Sequence, residues 1–147
     1  MIDISTYTSA LYDLLVADAA LYGQTTIDRG TRINFDPGRC PWVGVYPGDV
    51  ATAPKLIAAR TWSSTFDLQV VIQTASLSDD GTAASDLLGA LIKQVLDIID
   101  ADLTLGVSGA RVIGISWEYK YVVFDSDGSG DLFMPQAILK IKMEVRS

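Results

Sequence analysis

Histidine is absent from this chain, and cysteine occurs once, at Cys40. Without histidine the usual general base at neutral pH and the commonest metal ligand are both missing. Ser-His-Asp, Cys-His and histidine-based metal chemistry are excluded by count. A single cysteine allows no internal disulfide and no thiolate cluster. Basic residues are scarce and form no run: 11 Lys and Arg stand against 18 Asp and Glu, a net charge of −7. Binding to DNA or RNA needs a basic face that neutralises phosphates, so tight nucleic-acid binding is not expected. No apolar run approaches the roughly 18 residues needed to cross a bilayer, so no membrane partner is expected. Met1-Ile2-Asp3-Ile4 lacks the basic start and long apolar stretch of a secretory signal, so the expected site of synthesis and residence is the cytoplasm.

What is present is a globular composition. The chain has 147 residues, 49% of them apolar. That supplies one hydrophobic core and not two, so residues 1–147 are expected to form a single domain.

Hydrophobic periodicity divides the chain. Residues 4–22 predict a helix with Ile4, Tyr7, Leu11, Leu14, Leu15, Leu21 and Tyr22 on one face. Asp3, Ser5 or Thr6 supplies its N-cap, and Gly23 its end. Asp18 falls within the apolar face, which implies either fraying there or pairing with Arg29 or Arg32. Tyr12, Val16 and Ala20 form a second apolar stripe on the side that should face water. Two short strands, 31–35 and 42–46, flank a turn at Asp36-Pro37-Gly38, with Pro41 and Pro47 bracketing the second. Residues 48–58 read as a loop. Residues 59–74 predict a long half-buried strand with Trp62, Phe66, Leu68, Val70 and Ile72 on one face and Val71 as the exception on the other.

A second helix spans about 80–100, burying Ala84, Leu87, Leu88, Leu91, Val95, Ile98 and Ile99 and exposing Asp86, Lys93, Asp97 and Asp100. Ile113, Ile115, Trp117, Tyr119, Tyr121 and Val123 then alternate with polar residues. Leu139, Ile141, Met143 and Val145 do the same after an acidic turn, giving an antiparallel hairpin. The expected fold class is α+β: a mostly antiparallel twisted sheet with two amphipathic helices on one face, in the order α-β-β-β-α-β-β.

Few residues offer chemistry. In the turn Asp125-Ser126-Asp127-Gly128-Ser129-Gly130-Asp131, the residues Asp125, Asp127, Ser129 and Asp131 resemble the start of an EF-hand calcium loop. The twelfth position is Gln136 where a bidentate Glu is needed, Pro135 precedes it, and strands flank the loop. A solvated hairpin turn accounts for the same residues. Asp79/Asp80 and Asp100/Asp102 are acidic pairs at helix ends, where Asp caps more often than it catalyses. Cys40 has Arg39 beside it, but without histidine a structural thiol is the better reading. No catalytic residue and no cofactor is expected, and the chain does not read as an enzyme.

Apolar surface is the richer signal. Tyr12, Val16 and Ala20 make a ridge that one core cannot bury together with the opposite face, which points to a subunit contact; scattered surface apolar residues are the plain alternative. Val50, Leu56 and Ile57 sit in the 48–58 segment with little polar cover. They either order against a neighbouring subunit or begin the next strand.

Read in order, the chain resembles the tail-terminator family of long-tailed bacteriophages and phage-like particles. The likeness is carried by Ala20-Leu21-Tyr22-Gly23, by Cys40-Pro41-Trp42-Val43-Gly44-Val45-Tyr46-Pro47, by Phe66-Asp67-Leu68-Gln69-Val70-Val71 with the helix after it, and by the C-terminal hairpin. The resemblance implies a ring, commonly a hexamer, on the last ring of a tail tube in the virion. Such a ring ends tube growth and docks the tail to the head, its connector or a stopper protein, with DNA passing through its hole. A stopper or head-completion protein is the alternative in the same setting, and a small calcium-binding module the alternative from another class. Six copies would carry 6 × −7 = −42 charges. Acids such as Asp86, Asp97 and Asp100, with the 125–131 turn, would then repel passing DNA from the lumen. The first-helix stripe and the 48–58 segment are the expected pair of unlike patches in a ring contact.

Overall fold

The structure, a computed structural model, describes residues 3–30, 37–76, 82–126 and 130–146. Helix α1 covers Ile4–Ala17. Asp3 caps it by accepting from the Ser5 amide at 3.0 Å and the Ser5 hydroxyl at 2.7 Å. Those two bonds, the hydroxyl first, hold the Asp3 carboxyl below its usual pKa.

The single helix expected over 4–22 is divided at Asp18, and a short helix α2 follows at Ala19–Tyr22. Asp18 is extended, with φ −78° and ψ 107°. Its backbone amide closes α1 onto the Leu15 carbonyl, and its carboxylate accepts from the Leu21 amide at 2.9 Å. One short acidic side chain thus ends one helix and starts the next. This capped break replaces the expected fraying; Arg29 is exposed, and Arg32 lies outside the described residues. Because the chain turns there, Tyr22 leaves the buried face and is 60% exposed.

Among the described residues six strands form one sheet: β1 Thr26–Arg29, β2 Trp42–Ala51, β3 Lys55–Ala58, β4 Thr61–Gln73, β5 Ala110–Ser126 and β6 Gly130–Arg146. The order is β1-β2-β4-β6-β5, with β3 also paired to β4. Among the described residues only β1 and β2 run parallel. Helix α3, Thr82–Ala101, joins β4 to β5. The α+β class and the one-sided helix layer are as expected. Two strand assignments differ. The strand expected at 31–35 lies outside the described residues, and a strand is formed earlier, at Thr26–Arg29. The segment 48–58 is not a loop: β2 continues to Ala51, and β3 forms a hairpin with β4. Pro47 sits inside β2, paired with Leu68. It is tolerated because β1 pairs β2 only as far as Val45, which leaves the far side of β2 free at Pro47.

The core lies between helices and sheet. Leu11, Leu15 and Leu21 meet Val43, Val45, Phe66, Leu68, Val70 and Ile72, and Leu88, Leu91, Val95 and Ile99 of α3 join Leu139, Ile141 and Met143. Leu14, expected inside, is half-buried, and Leu87 of α3 is 36% exposed. The Thr74 hydroxyl donates to the Ala84 carbonyl at 2.6 Å, tying the end of β4 to the first turn of α3.

The opposite face has its own small buried region. Trp42, 1% exposed, lies over Gly44, where an added Cβ would come within 2.3 Å of Cη2. Its indole Nε1 donates to the Asp28 carboxylate at 2.7 Å, and Arg39 pairs with the same carboxylate. Arg39 is therefore engaged with Asp28, and the half-buried Cys40 takes part in no disulfide. The rest of this face carries Arg111, Lys120, Lys140, Lys142 and Arg146, with Asp67, Glu118 and Glu144 among them. Glu144 receives both Arg111, at 3.1 Å, and Arg146, at 3.0 Å.

Candidate assembly surface

A sheet of this width cannot be roofed by this helix layer. Each helix is about 10 Å across, while strands repeat every ~4.8 Å, so two helices cover about four strands. Helix α1 lies over β1 and β2, and α3 over β4 and β6. Ala110, Val112 and Ile115 of β5 still pack on the core, while Trp117 and Tyr119 beyond them lie outside the roof.

Two apolar groups stand outside it. The first is on the β3–β4 hairpin. All four β3 residues are exposed, Leu56 by 54% and Ile57 by 44%, and Trp62 is 47% exposed. Leu56 and Trp62 are direct cross-strand partners, so their side chains share a face. Trp62 has the parity of Phe66 and Leu68 and points to the helix side, where the described helices leave it about half uncovered. Ile57 is the extra residue where the register shifts between Leu56 and Ala58. The hairpin turns through Ala59 and Arg60, the latter at φ 64°.

The second group lies on β5. Trp117 is 48% exposed and Tyr119 64%. They pair with Leu139 and Ala137, so both also point to the helix side. Ile113, 42% exposed, is the extra residue in the register shift between Val112 and Gly114 and does not continue the row of Ile115 and Trp117. The outer edge of β5 has no strand partner among the described residues, and neither has that of β3.

Leu56 and Ile57 are exposed on a strand of their own, and Val50 lies in β2, its side chain outside the described set. Tyr12 is half-buried against the core, Val16 is half-buried, and Ala20 is exposed on α2. The break at Asp18 separates Ala20 from the other two, so the three do not form one continuous ridge. Asp86, Asp97 and Asp100 are all exposed on α3, and Lys93 pairs with Asp97 at 2.9 Å. Asp79 and Asp80 lie outside the described residues, and Asp102 accepts from the Thr104 hydroxyl. Asp125 and Asp131 are opposite positions of β5 and β6, so both belong to strands instead of a turn. Asp127 and Ser129 lie outside the described residues. Among the described residues no group of three or more His, Cys, Asp or Glu gathers as a metal site. No helix among them is long and apolar enough to cross a membrane.

Alternation assigns Trp62, Trp117 and Tyr119 to the correct face, and only the ratio of helices to strands signals that the face is uncovered; for Ile113 the register shift interrupts the alternation.

No protein family and no curated protein matches this chain. Among solved structures, it is similar to a chain of the virion of a native gene transfer agent particle. Identity is 15%, 93% of each chain is covered, and the TM-score is 0.43. A second solved chain, without a functional name, is 16% identical over 96% of this chain and 91% of its own, also at TM-score 0.43.

Proposed function

We propose that this chain is a structural protein of a bacteriophage-like virion. In this reading it is one subunit of a ring at the head-proximal end of a tail tube, ending tube growth and joining the tail to the head or its connector. Its work is architectural and involves no catalysis. The observation that carries the reading is the pair of exposed apolar groups, Leu56 and Trp62 on the β3–β4 hairpin and Trp117 and Tyr119 on β5. Exposed aromatics on free strand edges are a hazard for a solitary protein and an asset for an assembling one. The two groups are unlike each other and lie at different places on the sheet, as ring contacts require. The chain-long resemblance to tail terminators supports the same role. The exposed acids Asp86, Asp97 and Asp100 suit a wall past which DNA slides without being gripped.

Deleting the gene from the phage or particle-producing genome tests this reading. The expected outcome is tails of uncontrolled length separated from filled heads, with the protein detected by mass spectrometry in purified wild-type particles. Normal particles made without the gene would end the proposal.

A further inference from the structure

We infer that copies of this chain join edge to edge. The free edge of β3 in one copy adds antiparallel to the free edge of β5 in the next, and Leu56 and Trp62 come to rest beside Trp117 and Tyr119. This rests on the structural role proposed above and names the contact through which it would operate.

Geometry supports the pairing. β3 pairs β4 on the side away from β6, since Ser63 is opposite both Lys55 and Arg146, and β1 covers the outer side of β2 only at Trp42–Val45, so the edge beyond β3 is open to β5 of a second copy. β4 and β5 are each antiparallel to β6 and so run the same way, while β3 runs against β4. A copy placed alongside, helices on the same side, therefore presents β3 antiparallel to β5. In that arrangement all four side chains, Leu56, Trp62, Trp117 and Tyr119, stand on one face. Strand addition satisfies the edge amides and carbonyls while the side chains supply the apolar contact.

Position makes the contact heterologous. Trp117 is level with Val70 through Leu139, and Val70 is eight positions beyond Trp62. At ~3.3 Å per residue the two groups are about 26 Å apart along the strands. A two-fold dimer pairing each group with itself would leave the other uncovered; head-to-tail joining buries both and propagates.

Charge favours the same occupant. From Ala51 to Phe66 the chain has two cations, Lys55 and Arg60, and no acid. The remainder has 11 − 2 = 9 cations against 18 acids. Strand β5 itself is balanced, Arg111 and Lys120 against Glu118 and Asp125, so it does not repel a hairpin of charge +2, and the net −9 of the remainder favours approach of the next copy.

The test uses two double variants of the full chain. Leu56→Glu/Trp62→Glu disables the hairpin, and Trp117→Ser/Tyr119→Ser disables the edge. All four side chains are exposed, so the fold should survive, as circular dichroism will verify. Sedimentation velocity should show wild type as an oligomer and each variant as a 15.8 kDa monomer. Mixed one to one, the variants retain one good hairpin and one good edge between them. They should form a heterodimer of 2 × 15.8 kDa, about 32 kDa, and nothing larger. A wild type that stays monomeric to millimolar concentration overturns the contact. So does a folded variant that still assembles, or a mixture that fails to pair. If the contact holds but the protein is missing from purified particles, the virion role fails alone. If the protein is in particles but the variants assemble normally, the contact fails alone.

Discussion

Trp42 and Gly44 form the tightest side-chain arrangement described in this chain, and its cost when disturbed can be worked out. A methyl group at position 44 would lie 2.3 Å from Cη2, 2.7 Å from Cζ2 and 3.0 Å from Cζ3 of Trp42. Ordinary carbon contacts start near 3.5 Å, so the indole must retreat by about 1.2 Å. Trp42 is 1% exposed, so it cannot simply swing into solvent. Overpacking of this kind costs roughly 1–3 kcal/mol. Movement also lengthens the 2.7 Å bond to Asp28, and a hydrogen bond to a charged group is worth about 1.5–3 kcal/mol. Loss of glycine's freedom in the unfolded chain returns about 0.5–1 kcal/mol. Gly44→Ala should therefore destabilise the protein by about 2 kcal/mol, which lowers the melting temperature of a chain this size by about 4–8 °C. The cause is identified by a double-mutant cycle with Trp42→Leu. Leucine does not reach over position 44, so the new methyl fills space instead of colliding. Urea unfolding followed by far-UV circular dichroism should show Gly44→Ala costing little or nothing in the Trp42→Leu background, a coupling of about 2 kcal/mol. Additivity within about 0.5 kcal/mol would refute the collision as the reason for the glycine.

Asp18→Ala removes the side-chain cap on the Leu21 amide and should cost about 1 kcal/mol in urea unfolding, whereas Asp18→Asn should recover most of it. Thr74→Val is nearly isosteric and deletes the buried bond to the Ala84 carbonyl; a loss of about 1–2 kcal/mol is expected, with hydrogen exchange rising first at the start of α3. Burial raises the Tyr7 and Tyr46 hydroxyls above their usual pKa of 10.0. Their unfolded forms ionise first, so their contribution to stability is full below pH 10 and declines as pH rises through the folded values. Denaturation midpoints should fall from pH 9 to pH 11, less steeply in Tyr7→Phe.

Much of this architecture is legible in residue order because period reports exposure. Helix α3 and the β5–β6 pair repeat their apolar residues at 3.6 and at 2 over many turns or pleats, and both form where that pattern places them. The division at Asp18 follows a local signal, an Asp three residues before Leu21 in the manner of an N-cap, that the surrounding apolar residues obscured. β3 is only partly legible: Leu56 and Ile57 admit the start of a strand, but four residues beside Pro54, exposed throughout, show no alternation of burial. The assembly surface was half legible. Leu56 and Ile57 declare themselves by lacking polar neighbours. Trp117 and Tyr119 do not, since alternation assigns them to the helix side of the sheet and is silent on how far the helices extend across it. That depends on the width of the assembled layers, a property of no single segment.

The separation of charge across the sheet has a consequence for anything built from this subunit. Helices α1 and α3 expose Asp13, Asp86, Asp97 and Asp100 against Lys93 alone, while the opposite side of the sheet sets five cations, Arg111, Lys120, Lys140, Lys142 and Arg146, against Asp67, Glu118 and Glu144. A single molecule thus has an anionic side and a cationic side, parallel plates of opposite sign. Neighbours attached along their strands, helices aligned, would turn the same plate the same way. The finished object would be polar through its thickness, with two rims that attract different company.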